Sequence, residues 1–331
     1  MAETASTSVP AFIPGSPDDV CAREPIHVPG AIQPHGLLLA AAPAPDRAAP
    51  GQAGLGLATG ALAIVVASAN ASLLLGRDPL GCSLASVLGE EVARELVERD
   101  LAGELSPQSP WETTIELPGL GVAFELAAHR HDGLLLLELE RAAPDDAARA
   151  LLAGRLLQRW IGRLRESGGG IDALAELATR GIRQITGYER VLVYRFDPDW
   201  HGQAIAEDKV ADWAQSFNGL HFPASDIPRQ ARELYCVSLM RWVPNRDYVP
   251  VPLCTYPGLG TGPAPTSPLD LSFARLRSLS PVHLQYHRNM GVNGTMSLSV
   301  LRDGRLWGLV VCHHRAPHRI SPGQRAATAA L

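Results

Sequence analysis

The sequence predicts an α+β protein of two domains, each an antiparallel sheet flanked by helices. Three observations carry this. Short apolar runs of strand length are joined by the tight-turn dipeptides Asp132-Gly133 and Asp303-Gly304. Between them lie amphipathic helical runs, in which Leu152, Leu156, Trp160, Ile161 and Leu164 recur at spacings of three and four while Arg155, Arg159 and Arg163 mark the other side. The run Ala142-Ala-Pro-Asp-Asp146 supplies a proline and acidic N-cap candidates, placing a boundary there, and 331 residues suffice for two cores.

In order, residues 1–19 are rich in Ser, Thr, Pro and Asp and read as a flexible tail. The first domain, 20–141, has strands at Gly36–Ala42 and Ala61–Ser68 around the Pro43–Gly60 loop, then a helical turn at Asn70–Leu75 and a charged amphipathic helix at Glu90–Leu101. Strands at Trp111–Leu117, Val122–His129 and Leu134–Glu140 follow, split by Pro118-Gly119 and Asp132-Gly133. In the second domain, 142–331, a long helix and a second at Ile171–Ile185 precede strands at Glu189–Phe196 and Gln203–Glu207. Val243–Pro268 reads as a loop far longer than compact domains ordinarily need, hence disordered or functional. Thr295–Leu301 and Arg305–Cys312 form a hairpin, and the Ala-rich end reads as the start of a helix where the chain has been cut short.

Composition excludes several classes. With 29 basic and 34 acidic residues the formal charge is −5, too mild and mixed for nucleic acid or a membrane surface. No apolar run approaches a membrane span and no basic n-region precedes an apolar segment, which predicts a cytoplasmic protein. Five cysteines without CxxC spacing argue against a disulfide framework. Cys82, Cys236, Cys254 and Cys312 read as small core hydrophobes, whereas Cys21 lies in a Pro-rich tail with little to pack against.

Three polar clusters fall in the second domain. In Phe222-Pro-Ala-Ser-Asp226-Ile-Pro228 two prolines clamp a carboxylate between apolar neighbours, a geometry suited either to capping the helix that begins at Arg229 or to holding a ligand. Ser280-Pro-Val-His283-Leu-Gln-Tyr286 and Cys312-His313-His314 are the others; on a strand, one of the adjacent histidines faces inward. His283 and His287 at i and i+4 share a helix face, but without HExxH or CxxC they make a weak metal site.

The Phe222–Pro228 heptad resembles the pocket signature of phytochromes. Cys21-Ala-Arg-Glu-Pro-Ile-His-Val-Pro-Gly-Ala-Ile-Gln-Pro-His35-Gly36 resembles the chromophore-attachment segment of the bacterial members. Arg190-Val-Leu-Val-Tyr194-Arg-Phe-Asp, Ser280 to Gly291 and Leu306-Trp-Gly-Leu-Val-Val-Cys-His-His314 resemble segments of the family's GAF domain, in the family's order. The likeness runs from about Val20 to about His318 and implies a PAS domain followed by a GAF domain, with the N-terminal segment threaded through the long loop as a knot.

The resemblance implies biliverdin IXα as cofactor. Cys21 is then the thiol that adds to the ring A vinyl group as a thioether; the absence of cysteine between Ser280 and Tyr286 favours that attachment point. The Asp226 backbone carbonyl accepts from the pyrrole N–H groups, and its carboxylate switches partners. His283 holds a water over the rings, and His313 meets the ring D carbonyl. Arg241, Arg277, Ser280, Thr295 and Ser297 receive the propionates; Tyr194, Phe222 and Tyr235 wall ring D; Ile227, Pro228 and Tyr286 complete the pocket. Leu192, Leu220 and His287 depart from the family's usual residues. The implied function is a red/far-red photoreceptor fragment, not itself an enzyme beyond attaching its chromophore, with partners in PHY and output domains, often a histidine kinase, and a homodimer through the helix bearing Leu152 and Trp160. The alternatives are a GAF-type sensor of another small ligand and a metallohydrolase built on His283, His287 and His313.

Overall fold

A computed structural model of the chain describes residues 24–43, 61–256 and 268–331. Cys21, the tail and the Pro43–Gly60 loop apart from its first residue lie outside the described residues, as does part of the long second-domain loop.

In the first domain β1 (Ala31–Ile32), β2 (Gly36–Pro43) and β3 (Leu62–Ser68) lead to α1 (Ala71–Leu75), α2 (Leu84–Leu88) and α3 (Glu90–Leu101), then to β4 (Trp111–Glu116), β5 (Ala123–His131) and β6 (Leu134–Arg141). In the second, α4 (Asp146–Glu166) and α5 (Ile171–Thr186) precede β7 (Arg190–Phe196), β8 (Gly202–Lys209) and β9 (His221–Phe222). A 3-10 turn at Ala224–Asp226 opens onto α6 (Arg229–Val237), β10 (Met240–Val243) and β11 (Val251–Thr255), followed by α7 (Pro281–Asn289), β12 (Gly294–Arg302), β13 (Arg305–His314) and α8 (Pro322–Ala329). Both Asp-Gly turns work as expected, with φ of 46° and 74° at Asp132 and Gly133 and of 53° and 74° at Asp303 and Gly304, the left-handed pair a two-residue hairpin needs.

The second sheet runs β10-β12-β13-β7-β8-β9 and the first runs β1-β11-β3-β2-β6-β5-β4. The first corrects the sequence reading of Val243–Pro268 as a disordered or functional loop without a strand, because β11 crosses into the neighbouring domain and sits between β1 and β3. One face of this sheet packs on α1 to α3, through Leu75, Val87, Leu88 and Leu96. The other is covered by Leu269, Leu271, Ala274 and Leu276 of the second domain. Burial on both faces explains why β2 and β6 read as continuous apolar runs instead of alternating. Glu138, inside that run, is buried with its carboxylate accepting from the Leu276 amide at 2.6 Å.

The Ala31–Gln33 segment is held on two sides. Ala31 and Ile32 pair with Pro252 and Val251, Ile32 also bridges to Arg277, and the Gln33 amide donates to the Leu276 carbonyl at 2.7 Å. The buried Gln33 side chain adds a bond to the Trp242 carbonyl at 3.1 Å. Two bidentate ion pairs fasten α8 to the far side of the molecule: Arg325 to Glu140 at 2.9 Å for both bonds, and Arg319 to Asp146 at 2.6 and 2.7 Å.

Two expectations change. Leu152 and Trp160 do not share an environment: Trp160 is buried, with its Nε1 donating to Gln184, while Leu152 is 59% exposed. Cys312 is buried and Cys82 and Cys236 are half-buried, but Cys254 is an exposed residue of β11, not a core hydrophobe in a loop. Among the described residues no helix is long and apolar enough to cross a membrane.

Candidate ligand-binding site

The second sheet sorts its residues strictly by pleat. Cys312, Val310, Met296 and Val191 face the core formed with α5. The opposite face carries Thr295, His313 and Arg190 in one cross-strand row, and Arg241, Ser297, Val311 and Leu192 in the next. Leu309 and Tyr194 form a third row. His314 points away from this face, its ring stacked on His318 at 4.5 Å. Of the two adjacent histidines, the one that faces inward is His313.

Over this face lie α6, α7 and the Phe222–Pro228 turn. Ser280 caps α7, its Oγ accepting from the Val282 amide at 3.2 Å, with Pro281 at the first helical position. The helix then presents His283, Tyr286 and His287 together, the two imidazoles edge to face at 4.4 Å. The capping reading of the heptad does not hold: Pro228 is the N-cap residue of α6 and no side chain caps it. Asp226 instead accepts a long bond of 3.5 Å from the Tyr286 hydroxyl, between turn and helix. Arg232 ties the turn down by donating to the Ala224 and Ile227 carbonyls at 3.2 and 2.5 Å.

One end of the site is aromatic. Tyr194 packs on Phe196 and Phe222 at 5.2 and 5.7 Å, and the Tyr235 hydroxyl meets Ser297 Oγ at 3.5 Å. The Tyr194 ring occupies the space over Gly202 so fully that a Cβ there would lie 1.7 Å from it. The other end is cationic. The guanidinium of buried Arg277 reaches the Ile26 carbonyl at 2.9 Å, and Arg241 reaches the carbonyls of Ala274, Arg275 and Arg277. Neither arginine has a carboxylate at ion-pair distance among the described residues, and burial together with Arg241 lowers Arg277 to about 9. Ser280 Oγ also donates to Glu24 at 2.5 Å, docking the N-terminal segment beside this end.

The imidazoles are neutral. Burial lowers His313 to about 3, with the Arg190 cation adding to it, and lowers His283 to about 4 with Arg241 adding. His287, buried and with its Nδ1 unpartnered, is lowered to about 2 by burial, then by His283, His313 and Arg246. Burial and the Asp226 charge push Tyr286 up to about 12.

Of the fourteen expected site residues that are described, Tyr194, Arg241, Thr295, Ser297 and His313 share one sheet face, His283 and Tyr286 share α7, and Phe222, Ile227 and Tyr235 pack in the cluster around Tyr194; the fifteenth, Cys21, lies outside the described residues. Sequence reasoning missed Arg190, Glu207, Trp213 and Phe217. Its available signal was a charged residue at the head of an otherwise apolar strand, in phase with Leu192 and Tyr194. The metallohydrolase reading fails on geometry. Among the described residues, the group of three ligand-type side chains close enough to share an ion is His131, Asp132 and Asp270, and it does not include His283, His287 or His313.

Fold and site together define a two-domain ligand-binding module, and comparison with known proteins gives its class. Residues 21–142 match the PAS fold family and 170–331 the GAF domain family. The chain is 39% identical to the wild-type chromophore-binding domain of Stigmatella aurantiaca phytochrome P1, with a TM-score of 0.78 over 93% of this chain and 95% of that one. It is 37% identical to a bacteriophytochrome of Xanthomonas campestris over 95% of its own length and 46% of the relative's. It is 36% identical to cyanobacterial phytochrome B of Nostoc over 93% and 38%. The chain belongs to the bacteriophytochromes, of which it represents the PAS and GAF portion. It spans less than half the length of these two curated relatives.

Proposed function

We propose that the chain is the sensing part of a red/far-red photoreceptor, holding biliverdin IXα through a thioether to Cys21. The observation that carries this is the polarity of the site: buried Arg277 and half-buried Arg241, with no carboxylate at ion-pair distance among the described residues, at one end, and aromatic rings and a neutral histidine at the other. An elongated ligand with carboxylates at one end and a carbonyl at the other matches that polarity. A bound linear tetrapyrrole supplies a conjugated system whose methine bridge between rings C and D isomerises on absorbing light.

The chain's own residues do the rest. The Cys21 sulfur adds to the ring A vinyl carbon and its proton goes to the neighbouring carbon, so the attachment needs no oxidant or reductant. Glu24, three residues on, is fixed at Ser280, and three residues of chain reach roughly 11 Å at most. Arg241, Arg277, Ser280, Thr295 and Ser297 receive the propionates; the Asp226 carbonyl accepts from pyrrole N–H; His283 holds a water; His313 donates to a carbonyl. Tyr194, Phe222 and Tyr235 limit ring rotation, with Ile227, Pro228 and Tyr286 closing the site. The long Tyr286–Asp226 bond is the contact best placed to exchange partners on switching.

The same reading assigns the domains as 20–141 and 142–331 and threads Ala31–Gln33 through the 243–277 loop, in keeping with its two-sided hydrogen bonding. It places the protein in the cytoplasm, coupled to PHY and output domains such as a histidine kinase, as a homodimer using the exposed Leu151 and Leu152 of α4. Mixing purified protein with biliverdin tests the core of it. A red-absorbing, light-switchable adduct that survives denaturing electrophoresis is expected, and Cys21→Ser is expected to lose the covalent retention. No adduct with the unaltered protein, or a retained one with Cys21→Ser, overturns the site.

A further inference from the structure

Resting on that reading, we propose that Arg190 is a positioning residue that fixes His313 as a neutral Nε2–H donor toward a ligand carbonyl. The argument starts from a valence constraint. Arg190 Nε and Nη2 lie 3.2 and 2.8 Å from His313 Nδ1. A guanidinium has only donors, so Nδ1 must offer its lone pair, and the imidazole proton must sit on Nε2. Nδ1 is thereby turned toward Arg190 and into the sheet layer, leaving Nε2 for the cleft.

The arginine is held there from every side. It is 1% exposed, its guanidinium carbon lies 4.0 Å from the Phe217 ring centre and 4.4 Å from that of Trp213, and Glu207 stands 4.0 Å from its Nε. Glu207 is in turn held by the Phe217 amide at 3.2 Å and by the Ser216 hydroxyl. This aromatic and carboxylate box keeps the cation in place without closing a tight ion pair, so its Nε and Nη2 donors stay directed at His313.

A histidine whose ring could flip or swap tautomers would present a donor in one state and an acceptor in another. Fixed by Arg190, it presents a donor only. The charged and titratable groups around it are Arg190 and Glu207 on the sheet and His283 and His287 on α7. Protonating His313 would place a second cation against Arg190 and remove its hydrogen-bond acceptor.

Nitrogen-15 NMR on histidine-labelled protein without biliverdin reads the tautomer directly, with the His313 signals assigned by their loss in His313→Gln. The expected result is a protonated Nε2 and a bare Nδ1 that stay unchanged from pH 8 to pH 5. Arg190→Gln is expected to release the ring, giving mixed tautomers; Arg190→Lys, which keeps a cationic donor, is expected to restore Nε2–H. A proton on Nδ1 in the unaltered protein overturns the proposal, whether or not the variants fold, as does an Arg190→Gln protein with unchanged His313 signals. Failure to bind biliverdin would instead count against the photoreceptor reading, and the NMR result stands apart from it.

Discussion

The two sides of the site differ in how firmly they are fixed. The sheet floor carries His313, Arg190, Thr295 and Tyr194 on strands paired on both edges, with His313 and Arg190 almost wholly buried. The rim carries Asp226, Tyr286 and Tyr235 on a 3-10 turn and two nine-residue helices, half-exposed, with bonds of 3.5 Å between side chains. Ladder hydrogen bonds and close packing over-determine the floor, whereas moving a half-solvated rim group costs little, because water replaces what it loses. A receptor needs both: a fixed surface against which a ligand changes shape, and a surface that responds.

The largest expected test of this contrast is pH. His283 and His313 are neutral in the folded protein at about 4 and about 3, against an ordinary 6.5 in the unfolded chain. Stability is therefore fully present above pH 6.5 and falls on acidification, because only the unfolded state takes up the protons. The slope is up to ~1.4 kcal/mol per pH unit for each histidine. Denaturant melts between pH 7.5 and 4.5 measure it; His313→Gln and His283→Gln should each flatten the curve, and a curve that neither variant flattens would overturn the buried, neutral state of both rings.

Next in size is Gly202→Ala. Its Cβ collides with the Tyr194 ring, which Phe196 and Phe222 box in, so a loss of about 3 kcal/mol is expected in the same melts. On the rim, Ser280→Ala removes the α7 cap and the Glu24 contact and should cost about 1 kcal/mol while quickening proteolysis near Glu24. Smallest is Tyr286→Phe, expected to change stability by less than about 0.5 kcal/mol. A Tyr286→Phe loss matching that of Gly202→Ala would show the rim to be as rigid as the floor.

Much of this was legible in the chain. Asp132-Gly133 and Asp303-Gly304 place two hairpins, because the left-handed backbone they need is a local property. Alternation showed that one of His313 and His314 faces inward, the family resemblance grouped Tyr194, Thr295, Ser297 and His313 at one site, and Ser280-Pro281 pointed to a helix start that puts His283 and His287 on one side. Two things were misread. The Val251–Thr255 strand hides in a Pro- and Gly-rich stretch because it gains its partners, Ala67 and Val66 among them, from the other domain. Leu152 read as sharing Trp160's surroundings because periodicity gives a helix's apolar side without saying how far along the axis a neighbour covers it.

The sequence by itself determined the hairpin turn positions, most of the helices and strands in order, and the motifs that mark the family, since each depends on a few consecutive residues. Only the tertiary structure decided which groups meet. The Arg190–His313 pair spans 123 positions and Ser280–Glu24 spans 256. The lack of a carboxylate at ion-pair distance from Arg241 and Arg277 among the described residues is likewise a property of what surrounds them in space. Such contacts follow from how the sheets and helices pack, and the protonation of the site follows from the burial that packing produces.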